Sequence, residues 1–127
     1  MQQARIVIIG GDAAGMSAAS KIRRTDPDAQ VTVLEKGIWV SYSACGLPFF
    51  LQGVVPEVGD LVARTAQEHR ENGIDVRTSH EAVGIDARKR VVIASTEEGE
   101  QTFPYDKLLI ATGARARRPA VSETDMG

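Results

Sequence analysis

Three observations predict an α/β fold in which a parallel sheet carries a small antiparallel β insert. Arg5-Ile6-Val7-Ile8-Ile9 is a short, continuously apolar run rich in β-branched residues, as expected of a strand buried on both faces of a parallel sheet. A Gly-rich turn, an Ala-rich segment and a second such run, Val31-Thr32-Val33-Leu34-Glu35, follow directly. That is the order of a right-handed β-α-β crossover. A third apolar run, Leu108-Leu109-Ile110-Ala111, comes after a stretch of short strand-like segments.

The elements follow in order. Gly10-Gly11-Asp12-Ala13-Ala14-Gly15 reads as a turn, and Met16 to Arg24 as a helix that Asp26-Pro27-Asp28 ends, because proline cannot continue it. A short helical piece is expected from about Cys45 to Gln52. Pro48 limits how early it begins, since proline fits only where its missing N–H is unused. Thr65-Ala66-Gln67-Glu68 is a capping box, so a second helix runs to about Asn72 and Gly73 ends it. Ile74 to Arg77 is a strand. Ala82 to Asp86 and Val91 to Ser95 are short strands joined by residues 86–90, and Phe103 extends a third. Leu108 to Ala111 is expected as another buried parallel strand, with Thr112-Gly113-Ala114 as the loop after it.

The bulk properties exclude several classes. The chain has 127 residues, 43% hydrophobic and 25% charged, one domain's worth of ordinary globular composition. A net charge of −2 points to no nucleic-acid partner. No apolar run approaches the roughly 18–20 residues that span a bilayer, so no membrane partner is expected. The N-terminus runs straight into a strand pattern, so no signal peptide is expected. A single cysteine suits a reducing cytoplasm. His69 and His80 are expected to be solvated, and neither has partners at metal-ligand spacing, so no metal is expected. Trp39 and Tyr42 are expected to pack in the core. Arg115, Arg117 and Arg118 form either a solvated linker or a pyrophosphate contact.

The Gly-rich turn carries the first functional signal. Gly10 makes a tight turn after the strand and Gly15 lets the helix pack close, so backbone N–H groups and the helix N-terminus can face a pyrophosphate. The middle glycine of G-x-G-x-x-G is replaced by Asp12, a carboxylate that must point away from bound phosphates. Glu35 ends the second strand 20 residues after Gly15, where an acid binds ribose hydroxyls and disfavours a 2′-phosphate. FAD or NAD is therefore expected over NADP, in a Rossmann-like FAD/NAD(P)-binding domain that is partial.

Cys45 carries the second. A lone cysteine is either a small buried hydrophobe or a nucleophile that works without a partner thiol. Its small neighbours leave room for a substrate, and Ser41, Tyr42 and Ser43 supply hydroxyl donors. At a helix N-terminus its thiolate would be stabilised by the helix dipole.

Gly10 to Ala19, Ser41-Tyr42-Ser43-Ala44-Cys45-Gly46-Leu47-Pro48 and Ala111-Thr112-Gly113-Ala114 together resemble the N-terminal part of the pyridine nucleotide-disulfide oxidoreductases. The similarity is greatest to their single-cysteine branch: coenzyme A-disulfide reductase, polysulfide and persulfide reductases, and NADH oxidase or peroxidase. The resemblance covers essentially residues 4–119. It implies that Gly10, Ala13, Ala14, Gly15 and Glu35 hold the adenosine-diphosphate half of FAD, with Lys36 beside the ribose and the backbone of Val83 near the adenine. Ala111, Thr112 and Gly113 would pass the flavin side of the pyrophosphate. Cys45 would be the redox-active catalytic residue, taking electrons from NAD(P)H by way of FAD. Ser17, Lys21, Arg24 and Ser41 would contact a coenzyme A substrate, although Ala44 stands where that branch often has asparagine.

The resemblance also implies a small-molecule disulfide, coenzyme A or polysulfide partner and a homodimeric full-length enzyme. Residues 1–119 would be the N-terminal part of the FAD-binding domain and 120–127 a linker toward a nicotinamide domain. Two other functions stay open: a nucleotide-binding fragment without turnover, and an oxidase or peroxidase working through a sulfenic acid on Cys45.

Overall fold

A computed structural model describes residues 3–117; Arg118 and the expected linker at 120–127 lie outside the described residues. Strand β1 (Arg5–Ile9) is followed by helix α1 (Ala13–Thr25) and strand β2 (Gln30–Leu34). Then come a 3-10 turn (Ala44–Gly46), the short helix α2 (Leu47–Leu51) and a second 3-10 turn (Val58–Leu61). Helix α3 (Ala66–Glu71), strands β3 (Asp75–Arg77), β4 (Glu81–Asp86), β5 (Val91–Thr96), β6 (Gly99–Pro104) and β7 (Lys107–Ile110) complete the described chain.

The parallel sheet has the order β3-β2-β1-β7, and β4-β5-β6 form a separate antiparallel sheet. Both expected sheets are present. The period-2 alternation of side chains explains how the apolar runs bury both faces. Ile8, Val31, Val33 and Val76 face Met16 and Ala19 of α1, whereas Val7, Ile9 and Leu34 face Val92 and Ala94 of β5. Helix α1 starts at Ala13 rather than Met16, so the second half of the Gly-rich segment is its first turn.

One strand differs from expectation. β7 is parallel to β1, in the register Ile9↔Ile110, but it lies at the edge of the sheet. With no neighbour on its far side among the described strands, it leaves Leu109 37% and Ile110 60% exposed. An apolar run cannot tell an edge strand from a central one.

The start of β1 is tied to the entry of β7. Asp106 accepts from the Arg5 backbone N–H at 2.8 Å and from its guanidinium at 2.9 and 3.2 Å. Its own N–H donates to the Arg5 carbonyl at 2.8 Å. The Arg5 side-chain hydrogen bonds hold the Asp106 carboxyl at about 2. A depressed carboxylate stabilises the fold above its unfolded value and ceases to do so as pH falls through the folded one. Asp106→Asn is therefore expected to lower the melting temperature at neutral pH. The difference from the unaltered protein should close as pH falls from about 4 toward 2. A deficit that persists unchanged at the acid end excludes the ion pair as its cause.

Candidate functional site

Two surfaces meet at the N-terminus of α1. The first is built from the ends of β1, β2 and β7. Gly10 turns there with φ +109°, and a Cβ on it would overlap the Ala111 carbonyl oxygen. A Cβ on Gly15 would overlap the Gly10 carbonyl oxygen. Glycine is thus required at both positions by close backbone approach. Ala111 is held in place by its N–H, which donates to the Ile9 carbonyl at 2.8 Å. Ala13, Ala14, Thr112 and Gly113 are exposed beside this turn. The first N–H groups of α1 have no intrahelical acceptor, so they remain available to a phosphate.

Glu35 lies against the turn. Its Oε2 accepts from the Gly11 N–H and its Oε1 from the Gly37 N–H, both at 2.8 Å. Each carboxylate oxygen has a second lone pair, so two ribose hydroxyls could still donate to it. The glycine contact with Ala111, the free N–H groups and this half-satisfied carboxylate fit the adenosine-diphosphate end of FAD. Lys36 is exposed beside Glu35. Val83 is 53% exposed and sits where the β4–β5 register shifts between Ala82 and Gly84. The chain entering β4 is tied to Glu35 and Gly37 by the N–H groups of His80 and Ser79, each at 2.9 Å.

The second surface is a cavity of about 640 Å³ at the α1 N-terminus, where Ala13 lines it as well. Cys45 lines it together with Ser17 and Arg24 of α1, Ser41, and two residues that sequence reasoning did not assign there, Arg64 and His69. Asp12 also lines it. It is the N-cap residue of α1, and its carboxylate makes no capping bond to the helix. Ser17 and Arg24 share a helical face two turns apart. Lys21 is exposed and does not line the cavity.

The segment carrying Cys45 is clamped by backbone hydrogen bonds. The Ser41 N–H donates to the Gly11 carbonyl at 2.9 Å, the Ser43 N–H to Leu61 at 2.8 Å, and the Ala63 N–H back to Ser41 at 3.0 Å. Val40, 1% exposed, anchors the segment in the core. The Gly-rich turn and the cysteine loop are thus one hydrogen-bonded unit.

Several expectations change. Cys45 is exposed, so it is not a buried filler. It lies inside a 3-10 turn two residues before α2, which is five residues long. The dipole expected behind its thiolate has almost no helix to draw on. Trp39 is 50% exposed rather than in the core, and Tyr42 lines the cavity.

His69 is 3% exposed rather than solvated, and its Nε2 lies 2.8 Å from Ser41 Oγ. Burial, and then the charge of Arg64, push its ring below the usual histidine range, while Glu68 opposes the shift. His80 is half-buried, with Nδ1 2.7 Å from the Thr78 carbonyl and its ring edge-on to Phe103. A signal for His69 exists in the sequence. It follows Ala66 by three residues on the capped helix, and Ala66 packs on the core, so both face inward. Nothing in the sequence marks Arg64.

A family model described as pyridine nucleotide-disulphide oxidoreductase matches residues 4–126. An NAD(P)H sulfur oxidoreductase (CoA-dependent) of Pyrococcus abyssi is 35% identical over 121 residues, covering 95% of this chain and 27% of that protein. A coenzyme A disulfide reductase of Staphylococcus haemolyticus is 35% identical over 115 residues, 88% of this chain and 26% of that protein. An NAD-dependent persulfide reductase from A. fulgidus superposes with a TM-score of 0.89 at 43% identity, covering 92% of this chain and 22% of that one. The chain thus spans about a quarter of the length of these relatives.

Proposed function

The chain belongs to the pyridine nucleotide-disulphide oxidoreductase family, and from that premise we propose that it supplies the FAD-binding turn and the redox cysteine of an NAD(P)H-dependent sulfur reductase. The substrate class is a disulfide, coenzyme A disulfide or polysulfide. The observation that carries this reading is the position of Cys45. Its thiol is exposed on the wall of the cavity that Ser17, Arg24 and Ser41 also line, and that wall is bonded directly to the Gly-rich turn.

The roles follow from the residues. The Cys45 thiolate attacks one sulfur of the substrate. A Cys45–sulfur bond forms, the substrate's S–S bond breaks, and the other sulfur leaves as a thiolate. Cys45 is oxidised and the substrate reduced by the same electron pair. Ser41, Tyr42 and Ser43 offer hydroxyl donors beside the reacting sulfurs. Arg24 and Arg64 supply positive charge for an anionic substrate such as coenzyme A.

Gly10, Ala13, Ala14, Gly15 and Glu35 hold the adenosine-diphosphate part of FAD, with Ala111, Thr112 and Gly113 on its flavin side and Lys36 and Val83 near the adenosine. FAD, when bound, carries the reducing equivalents from NAD(P)H that return Cys45 to the thiolate. We place residues 1–119 in the FAD-binding domain and 120–127 on the path to a nicotinamide domain. The full-length enzyme is a homodimer, and a lone redox thiol suits a cytoplasmic setting.

The test is intact-protein mass after exposure to coenzyme A disulfide. The expected product is one coenzyme A adduct on Cys45, removed by a reducing thiol. Absence of any adduct with disulfide or polysulfide, together with dimedone trapping of a sulfenic acid after peroxide, transfers the assignment to the oxidase or peroxidase reading. A second prediction concerns the cofactor. Glu35→Ala is expected to weaken FAD binding by roughly 1–3 kcal/mol, the scale of a lost charge-assisted hydrogen bond. Titration of flavin fluorescence measures it, and unchanged affinity removes Glu35 from the ribose site.

A further inference from the structure

His69 is the one buried charged or polar side chain among the described residues, and nothing in the cysteine chemistry above uses it. It lines the cavity with Cys45. Its Nε2 meets Ser41 Oγ at 2.8 Å, while its Nδ1 is buried with no hydrogen-bond partner among the described residues. Ser41 is itself constrained. It adopts φ +52°, a conformation non-glycine residues rarely take, and backbone hydrogen bonds hold it on both sides. Among the described residues the Ser41 hydroxyl thus has one partner, the buried His69 ring.

The tautomer follows from the orphaned nitrogen. Neutral imidazole carries one N–H and one bare nitrogen. If Nε2 accepted from Ser41, Nδ1 would be a buried N–H with no acceptor, an arrangement native structures almost never keep. If Nε2 is the donor, the unpartnered Nδ1 is only an unused lone pair. The ring stays neutral near pH 7 because burial and Arg64 both disfavour its cation more than Glu68 favours it.

We propose that His69 is a positioning residue: its Nε2–H donates to Ser41 Oγ, so that the Ser41 hydroxyl proton is turned into the cavity as a donor to substrate sulfur. The inference rests on the reading of the cavity as the sulfur-substrate site. A hydroxyl aimed this way would donate to the thiolate that leaves when Cys45 attacks a disulfide. Without His69 the hydroxyl is free to rotate, and the donor is present only part of the time.

The experiment has two arms. The first follows the rate of Cys45 exchange with coenzyme A disulfide, using the Cys45 thiol as reductant, in the purified chain. His69→Phe fills the same space without a donor, and His69→Gln restores one near the Nε2 position. The expected result is a roughly ten-fold loss in His69→Phe, the scale of one hydrogen bond, and recovery of most of it in His69→Gln. Ser41→Ala should be about as slow as His69→Phe, and the double variant no slower than either, because both act through one hydroxyl. A His69→Phe rate equal to the unaltered protein's overturns the proposal.

The second arm needs no variant to fold. Long-range proton–nitrogen correlation on the unaltered protein at neutral pH should show the proton of the His69 ring on Nε2. A proton on Nδ1 overturns the proposal whatever the kinetics. If the unaltered protein does not exchange with coenzyme A disulfide or any polysulfide, the substrate reading fails, and the ring tautomer still decides whether His69 orients Ser41.

Discussion

Cys45→Ala is expected to abolish sulfur exchange while leaving the fold and FAD binding intact. The rate of adduct formation with coenzyme A disulfide should fall to background, at least about a thousand-fold below that of the unaltered protein, as for removal of a covalent nucleophile. The size of the effect follows from chemistry, since no second thiol exists in the chain to take over. The selectivity follows from position. Cys45 is exposed, so alanine leaves no internal cavity. It is held by the backbone bonds of its neighbours rather than by its own side chain. Melting temperature and flavin titration should therefore match those of the parent. Residual exchange well above background would mean that another group in the cavity attacks the disulfide. A fall in stability as large as a core substitution would mean that the thiol is structural.

The second large effect is expected at Gly10. A Cβ there would overlap the Ala111 carbonyl oxygen, and φ is +109°. The clash is with backbone, which is tied to Ile9 by a 2.8 Å hydrogen bond and cannot rotate away as a flexible side chain can. Gly10→Ala should destabilise the fold by about 3 kcal/mol or more, from overpacking and backbone strain together. Gly59→Ala is the control, because a Cβ there meets nothing within 4 Å. Its denaturation midpoint should stay close to that of the parent. Comparable loss at both positions would show that the effect is generic to glycine rather than specific to the close approach of the chain at the ends of β1 and β7. Where Gly10→Ala still folds, FAD affinity should drop with it, because the same turn presents the N–H groups proposed to bind the phosphates.

Some of this architecture was legible in the chain because it is encoded locally. The apolar runs at Arg5 to Ile9 and Val31 to Glu35, the capping box at Thr65 and Glu68, and the short strand at Val91 to Ser95 each express a preference of neighbouring residues. The order strand, Gly turn, helix, strand, acid then leaves few topologies open. The cysteine loop stood out by its residue types. Its shape did not follow, since Pro48 allows a short helix without dictating where a 3-10 turn ends and an α-helix begins.

What the sequence determined by itself was therefore the succession of elements, the glycines the turn after β1 requires and the position of the chain's one thiol. Only the tertiary structure decided which of these surfaces face each other. It buried His69 against Ser41, 28 residues away in the chain, brought Arg64 into the cavity, turned Glu35 onto the Gly11 and Gly37 N–H groups, and left β7 at the sheet's edge. Helix and strand preferences arise from sterics and hydrogen bonds within a few residues. A pocket arises from how whole elements pack, and no window of sequence contains that packing.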